Sequence, residues 1–429
     1  MKAAFYTLGC KVNSYETEAL IEMFEKKGYE IVEFSKKSDV YVINTCMVTN
    51  TGERKSKKYI RRPAQLNKNA IVIVMGCLSQ LKAEEIMKIE GVKIVVGTKN
   101  RDKILDYLDE YNRNQLAKNY VKKLDNLEEF DNLFISDFKN HQRAFLKIQD
   151  GCNNFCSYCI IPYTRGRIRS KSPKRVIEEA NYLVNAGHVE IVLTGINTGG
   201  YGIDLENYSF ANLLRDLEKI DGLKRIRISS IEITELNSDV VDIIKNSKKI
   251  VNHLHIPLQS GSNRILKLMN RKYKTEEYIN FIDKLRDNIP NLAITTDIIV
   301  GFPTETEADF QEEIEVIKRV NFQELHVFPY SIREGTVASK LKGQIPGNIK
   351  KERVHRLLNL SKTLKLKHIN RQINKHHFII TEQFKNGFLQ GHTRDYILVR
   401  IKADKGLIGQ ELEVVIESFD GVYCYGKLV

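Results

Sequence analysis

The chain has 429 residues, 42% hydrophobic and 28% charged, which excludes a disordered polyelectrolyte and allows two or three domains around a large core. No apolar run approaches membrane-spanning length and no signal-peptide core precedes the first polar residues, so the expectation is a cytoplasmic protein with no membrane partner. A net charge of +13 suits a polyanionic partner.

The first hundred residues alternate short apolar runs with helical patterns, as in an open parallel α/β sheet. Strands are expected over 3–8, 40–45, 71–76 and 93–96, with a helix over 16–27. Cys10, Cys46 and Cys77 each follow one of the first three strands. Ligands of open α/β sheets gather at that carboxyl edge, so shared ligation is expected, against the alternative of three small buried side chains. Residues 111–143 are polar and aperiodic and read as a connector. Six strand–helix units follow, with strands over 144–149, 190–193, 225–229, 253–256, 294–300 and 325–328. Six units are short of the eight of a closed β/α barrel, so a partial barrel is expected. Between 348 and 376 stand nine Lys or Arg against one acid, Glu352. That stretch reads as a phosphate-facing surface, or else as a solvated helix face over the stripe Val354, Leu357, Leu358 and Leu364. From 377 onward, strands over 378–381, 396–401, 411–416 and 423–428 predict a small antiparallel barrel. The expected domains are 1–113, 138–368 and 369–429.

Cys152, Cys156 and Cys159 form a C-x3-C-x2-C run after the first barrel strand. Three thiolates without a nearby fourth can hold three irons of a four-iron, four-sulfur cube and leave one iron open. Ferredoxin-type clusters and structural zinc sites normally close with a fourth ligand. Seven cysteines in a reduced compartment read as ligands or free thiols, with Cys424 a packed thiol in the last strand. Phe155 and Tyr158 can shield such a cluster or simply pack the loop. Thr194 and Gly195 offer close backbone approach, and Ser229, Ser230, Glu232, Gln259 and Ser260 offer hydrogen bonds at neighbouring strand ends. Arg165, Arg167 and Arg169 suit phosphate, or an internal salt bridge. Lys385, His392, Arg394, Tyr396 and Arg400 add cations and an aromatic face for unpaired RNA bases.

The run Gly151-Cys152-Asn153-Asn154-Phe155-Cys156-Ser157-Tyr158-Cys159-Ile160-Ile161-Pro162-Tyr163-Thr164-Arg165-Gly166-Arg167 resembles the radical S-adenosylmethionine methylthiotransferase family. So do Ser229-Ser230-Ile231-Glu232, His255-Ile256-Pro257-Leu258-Gln259-Ser260-Gly261-Ser262 and Asp297-Ile298-Ile299-Val300-Gly301-Phe302-Pro303. The resemblance covers essentially the whole chain. It implies a methylthiotransferase domain, a partial (β/α)6 radical core and a TRAM barrel for RNA. It also implies two 4Fe-4S clusters, held by Cys152, Cys156 and Cys159 and by Cys10, Cys46 and Cys77. The implied reaction uses S-adenosylmethionine twice, to methylate a sulfur at the second cluster and to make the radical that takes hydrogen from adenine C2. Thr7-Leu8-Gly9-Cys10-Lys11 and Val42-Ile43-Asn44-Thr45-Cys46 are similar to the branch acting on N6-threonylcarbamoyladenosine of tRNA. Expected partners are a tRNA anticodon stem-loop and a flavodoxin- or ferredoxin-type electron donor; the sequence specifies no oligomeric state. Branches acting on isopentenyl-adenosine or a ribosomal protein are the enzyme alternatives. A zinc-stabilised RNA-binding protein without catalysis is the alternative from another class. Iron and sulfide in anaerobically purified protein separate the two classes.

Overall fold

The computed structural model describes residues 1–124, 130–139 and 142–429. The chain begins with a six-stranded parallel sheet. It is built from β1 (Lys2–Thr7), β2 (Glu30–Val32), β3 (Val40–Thr45), β4 (Ile71–Gly76), β5 (Val92–Val95) and β6 (Lys118–Asn119), in the order β2-β1-β3-β4-β5-β6. Alternate side chains of the central strands fill two separate cores. Ala3, Val42 and Ile73 face one way, and Ala4, Ile43 and Val74 the other. This two-sided burial explains why β3 is buried along its length and carries no polar alternation before Asn44. The helices α1 (Lys11–Lys26), α2 (Asn50–Leu66) and α3 (Cys77–Met87) follow β1, β3 and β4.

The expected connector 111–143 is less featureless than its composition suggests. Lys118 and Asn119 pair with Ile94 and Val95 as β6, so the sheet extends past residue 113. Three apolar side chains lie further on: Leu133, Ile135 and Phe138 are buried in the main core. Residues 125–129, 140 and 141 of this segment lie outside the described residues.

The middle of the chain carries β7 (Arg143–Lys147), a small antiparallel pair β8 (Gln149–Asp150) and β9 (Arg169–Ser170), then β10 (Glu190–Thr194), β11 (Arg225–Ile228), β12 (His253–His255), β13 (Ala293–Val300) and β14 (Glu324–Pro329). Two parallel sheets, β11-β10-β7 and β12-β13-β14, are joined by the bridges Ile226↔Ile250 and Ser230↔His255. The result is an arc of six parallel strands with β7 and β14 at its ends. Helix α1 packs along β7 at the open side, where Lys147 pairs with Glu16 at 2.9 Å. Helix Gly347–Asn370 packs on β14, with Leu357 and Leu364 buried and Leu358 exposed. Its cations divide. Arg353 is buried against Glu305, Arg356 pairs with Glu307 at 2.9 Å and Lys365 with Glu324 at 3.0 Å. Lys351, Lys362, Lys367, Arg371 and Lys375 remain exposed.

The last segment forms a closed five-stranded barrel of β15 (His376–Lys385), β16 (Phe388–Thr393), β17 (Leu398–Ile401), β18 (Glu411–Phe419) and β19 (Cys424–Leu428). Its pairings are antiparallel except β17 with β19, which run parallel and complete the closure. Cys424 lies in its core with Ile379, Val399 and Val414. The barrel docks on the N-terminal ends of the arc strands. Fully buried Arg225 donates to the Phe378 carbonyl at 2.7 Å and the His392 carbonyl at 3.0 Å, and pairs with Glu411 at 2.8 Å.

Candidate active site

Cys10, Cys46 and Cys77 come together because β1, β3 and β4 are adjacent strands running the same way. Neighbouring strands lie about 4.8 Å apart, so loops leaving their carboxyl ends share one edge. Cys10 caps α1, Cys46 follows β3, and Cys77 is the first residue of α3. The turn into α3 requires Gly76 (φ +102°), where a Cβ would fall 2.6 Å from Asn44 Oδ1 and from the Thr45 carbonyl. Burial raises the Cys10 thiol, with Cys77 adding to the effect and Arg165 opposing it. Burial likewise pushes Cys46 up to about 11, with Cys77 and Cys10 contributing. The three thiols therefore lie within electrostatic reach of one another.

The second triad sits on the loop after β8. Gly151 (φ +76°) passes so close to the segment before β9 that a Cβ would lie 1.9 Å from the Arg167 carbonyl. Cys152 N–H donates to the Gly166 carbonyl at 3.1 Å, and Ser157 bonds the Met269 and Leu268 carbonyls at 3.0 and 2.7 Å. These contacts pin both ends of the loop. Arg271 Nη1 lies 3.5 Å from Cys156 Sγ, and the same guanidinium pairs with Glu232. Phe155 adopts φ +46° and lies under the Arg167 guanidinium at 4.5 Å. Burial pushes Cys152 up to about 11 and Cys159 up to about 12. A bound metal ion would oppose that effect, because it favours the thiolate form of a ligand.

Beside Cys10 opens a cavity of about 560 Å³, within the range of small-molecule sites. Cys10 and Lys11 line it from the first sheet, and Thr194, Gly195, Ser229 and Ser230 line it from the ends of β10 and β11. Ser229 Oγ is buried on this wall with no hydrogen-bond partner among the described residues, as suits a hydroxyl awaiting a ligand. A neighbouring cavity of about 250 Å³ holds Tyr158, Cys159 and Gln259, and Asp297 lines both. His255 Nε2 and His326 Nδ1 lie 3.2 and 3.4 Å from Asp297 Oδ1. Burial works against the Asp297 carboxylate, but the two imidazoles outweigh it and hold its pKa well below the ordinary value. Among the described residues, this trio is the one group of three or more His, Cys, Asp or Glu whose ligand atoms all lie within 4.8 Å of one another. A single zinc ion bound at about 2.3 Å needs sulfurs about 3.8 Å apart. Among the described residues, the sulfurs of neither thiol triad all lie within 4.8 Å of one another.

The Radical SAM superfamily matches residues 146–317, and an uncharacterized family, UPF0004, matches residues 2–97. The chain is 48% identical to the threonylcarbamoyladenosine tRNA methylthiotransferase MtaB of Bacillus subtilis, over 99% of this chain and 96% of that protein. This chain belongs to the radical S-adenosylmethionine methylthiotransferase family. An MtaB of Aquifex aeolicus is 43% identical over 84% of this chain and 88% of its own length. A tRNA-2-methylthio-N(6)-dimethylallyladenosine synthase of Clostridium botulinum is 38% identical over 96% of this chain and 93% of its own. The fold resembles the radical S-adenosylmethionine methyltransferase TsrM of Kitasatospora setae (TM-score 0.57, 13% identity, 79% of this chain and 77% of that one). A methylthiotransferase of this family thus shares its α/β framework with distant radical enzymes.

Several side chains expected at the surface or on the cavity sit elsewhere. Arg165 is fully buried, bonded to Asn13 at 2.7 Å, Glu16 at 2.9 Å and Asp150 at 3.0 Å, so it cannot meet RNA phosphate. Arg169 is buried and donates to the Arg165 and Arg167 carbonyls. The reason is charge matching: Glu16, Asp150, Lys147, Arg101 and Arg165 form one buried network between α1 and the arc. Burial would raise Glu16, but Arg101, Arg165 and Lys147 outweigh it and hold the carboxylate far below its usual pKa. Arg167 alone of the three is exposed. Arg394 donates to the Lys248 and Ile250 carbonyls at 2.9 and 3.0 Å, docking the terminal barrel rather than facing solvent. Arg400 is buried over Tyr423, and His392 is paired with Glu382 at 2.6 Å. Glu232 turns to Arg271 and does not line the larger cavity. Tyr396, expected to open a strand, instead occupies a left-handed turn (φ +69°) and lines that cavity, stacked on His253 and His392. Lys385 is exposed at the end of β15. Sequence reasoning missed Arg271 and His326, while Lys11, His255 and Asp297 stood in runs quoted for the resemblance without a role of their own.

Proposed function

We propose that this chain is a tRNA methylthiotransferase that inserts a methylthio group at C2 of N6-threonylcarbamoyladenosine next to the anticodon. The observation that carries this reading is the 48% identity to an MtaB across nearly the whole of both chains. The dimethylallyladenosine synthases, at 38%, are the second reading among relatives. The thiol sites support the chemistry. Cys152, Cys156 and Cys159 would hold one 4Fe-4S cluster and Cys10, Cys46 and Cys77 the other. Bound there with S-adenosylmethionine, the clusters supply an electron of low potential, a radical and a sulfur acceptor for a methyl group.

The chain's own residues do the positioning. Gly195 and Thr194 leave room for close approach of a ligand backbone, and Ser229 and Ser230 offer hydroxyls on the same wall. Arg271 presents an N–H to the Cys156 sulfur, a contact that tunes the electronics of sulfur-ligated iron. Phe155 and Tyr158 cover the loop and limit water. Exposed Arg167, Lys385 and the free cations of helix Gly347–Asn370 are the phosphate contacts on offer, with residues 369–429 acting as the RNA-binding barrel. Residues 1–113 would serve the second cluster and 138–368 the radical core. No helix is long and apolar enough to cross a membrane, and a cytoplasmic site with a flavodoxin- or ferredoxin-type donor fits the reaction.

The test is nucleoside mass spectrometry of tRNA from a deletion strain. The methylthio-threonylcarbamoyl nucleoside should vanish and its unthiolated precursor accumulate. Loss of a methylthio-dimethylallyl nucleoside instead would transfer the assignment to the second reading.

A further inference from the structure

Lys11 is a solvent-accessible lysine on the cavity wall with no ion pair among the described residues. It is the first residue of α1, and its exposed surface lines the 560 Å³ cavity beside Cys10. Every carboxylate around it is engaged by another cation. Glu190 pairs with Arg227 at 2.7 Å, Asp297 with the two imidazoles, Glu324 with Lys365 at 3.0 Å, and Glu382 with Arg143 at 3.2 Å. The other cations of the cavity are likewise engaged: Arg227 also donates to the Thr393 and Arg394 carbonyls. The Lys11 ammonium has no such partner among the described residues. A cation that faces a cavity without an ion-pair partner offers its charge to an anionic group of a ligand entering there.

We infer that Lys11 is the carboxylate-reading residue of the substrate pocket, binding the acid group of the amino-acid substituent on the target adenosine. This deepens the function proposed above and rests on it. The geometry follows from the base itself. C2 and C6 of adenine are separated by one ring atom, N1, so a chain carried on N6 reaches the C2 side of the ring. The sulfur delivered to C2 comes from the Cys10 side of the cavity, and Lys11 is its chain neighbour. A cofactor carboxylate is the other source of the same chemistry, and the experiment separates the two.

The experiment uses reconstituted holoenzyme and three synthetic anticodon stem-loops. One carries the threonylcarbamoyl acid, one its carboxamide, and one a dimethylallyl group. Both kcat/KM for methylthiolation and Kd from fluorescence anisotropy are measured for wild type, Lys11→Met and Lys11→Arg. The readout is the acid-to-amide preference within each protein, which is insensitive to the fraction of correctly loaded enzyme. Wild type should prefer the acid by about 10- to 100-fold, as a charge-assisted hydrogen bond allows. Lys11→Met should lose at least about tenfold of that preference, and Lys11→Arg should keep most of it. A Lys11→Met enzyme that keeps the acid preference overturns the assignment while leaving the parent reading intact. Equal losses on acid and amide also overturn it, and place the lysine on the cofactor instead. A wild type that ignores the threonylcarbamoyl loop and modifies the dimethylallyl one overturns the parent reading, and the assignment with it.

Discussion

Cys152, Cys156 and Cys159 share one loop, held by hydrogen bonds to the Gly166, Leu268 and Met269 carbonyls. Cys10, Cys46 and Cys77 come from three strand ends, and only the pairing of β1, β3 and β4 brings them together. The first triad is a local device: its spacing survives small movements of the surrounding fold. The second is a tertiary device: it exists only while the first sheet is intact and seated on the arc. The buried network of Glu16, Asp150, Lys147, Arg101 and Arg165 is what seats it.

Removing one thiol from each triad should give the largest and most different effects. Cys156→Ala should abolish both S-adenosylmethionine cleavage and sulfur insertion. Cys46→Ala should abolish insertion yet leave reductive cleavage, with iron falling from about eight to about four per chain. Iron and sulfide analysis beside a 5′-deoxyadenosine assay reads both; thiolation by the Cys46 variant would erase the division of labour.

The seating network comes next. Arg165→Met leaves Glu16 and Asp150 short of a partner in a buried place and should cost about 3–5 kcal/mol in urea unfolding. An unchanged midpoint would mean that the second triad does not depend on this network. A smaller effect is expected at the opposite, N-terminal ends of the neighbouring strands. Burial acts to raise Glu190, but Arg227, Arg143 and Arg225 outweigh it and lower its pKa to about 2 from 4.5. The folded state therefore binds this proton less readily than the unfolded one. Its contribution is whole above about pH 5 and is lost as pH falls from 4.5 towards 2, roughly 3 kcal/mol in all. Glu190→Gln should flatten that part of the profile of urea midpoint between pH 6 and pH 3. The smallest effect belongs to the surface. Arg167→Ala should leave stability within about 0.5 kcal/mol and lower the salt slope of RNA binding by about one. A slope unchanged by that substitution would remove Arg167 from the RNA surface.

The contrast between triads also sets what was legible beforehand. Cysteine spacing disclosed the loop triad outright, and alternation of apolar runs disclosed the strand ends that gather the other. The arc and the terminal barrel followed from the same periodicity, although the parallel β17–β19 pair did not, because strand direction leaves no mark on composition. Side-chain destination was the weak point. Arg165, Arg167 and Arg169 look alike in sequence, yet two are buried and one exposed, because Glu16 and Asp150 reach the first from different parts of the chain. Arg394 misled for the same reason, its partners being carbonyls of a distant segment. Lys118 and Asn119 were hidden in a polar stretch too short to show any period.

Tyr396 gives the terminal barrel a second duty. Its ring stands at the foot of the lumen, framed by Arg143, Arg227, His253 and His392. A chain truncated ahead of this barrel would be a pipe open at its lower end. Water and dioxygen could then climb towards any radical made above, so the module proposed to hold the nucleic acid would also serve as the stopper of the reaction vessel.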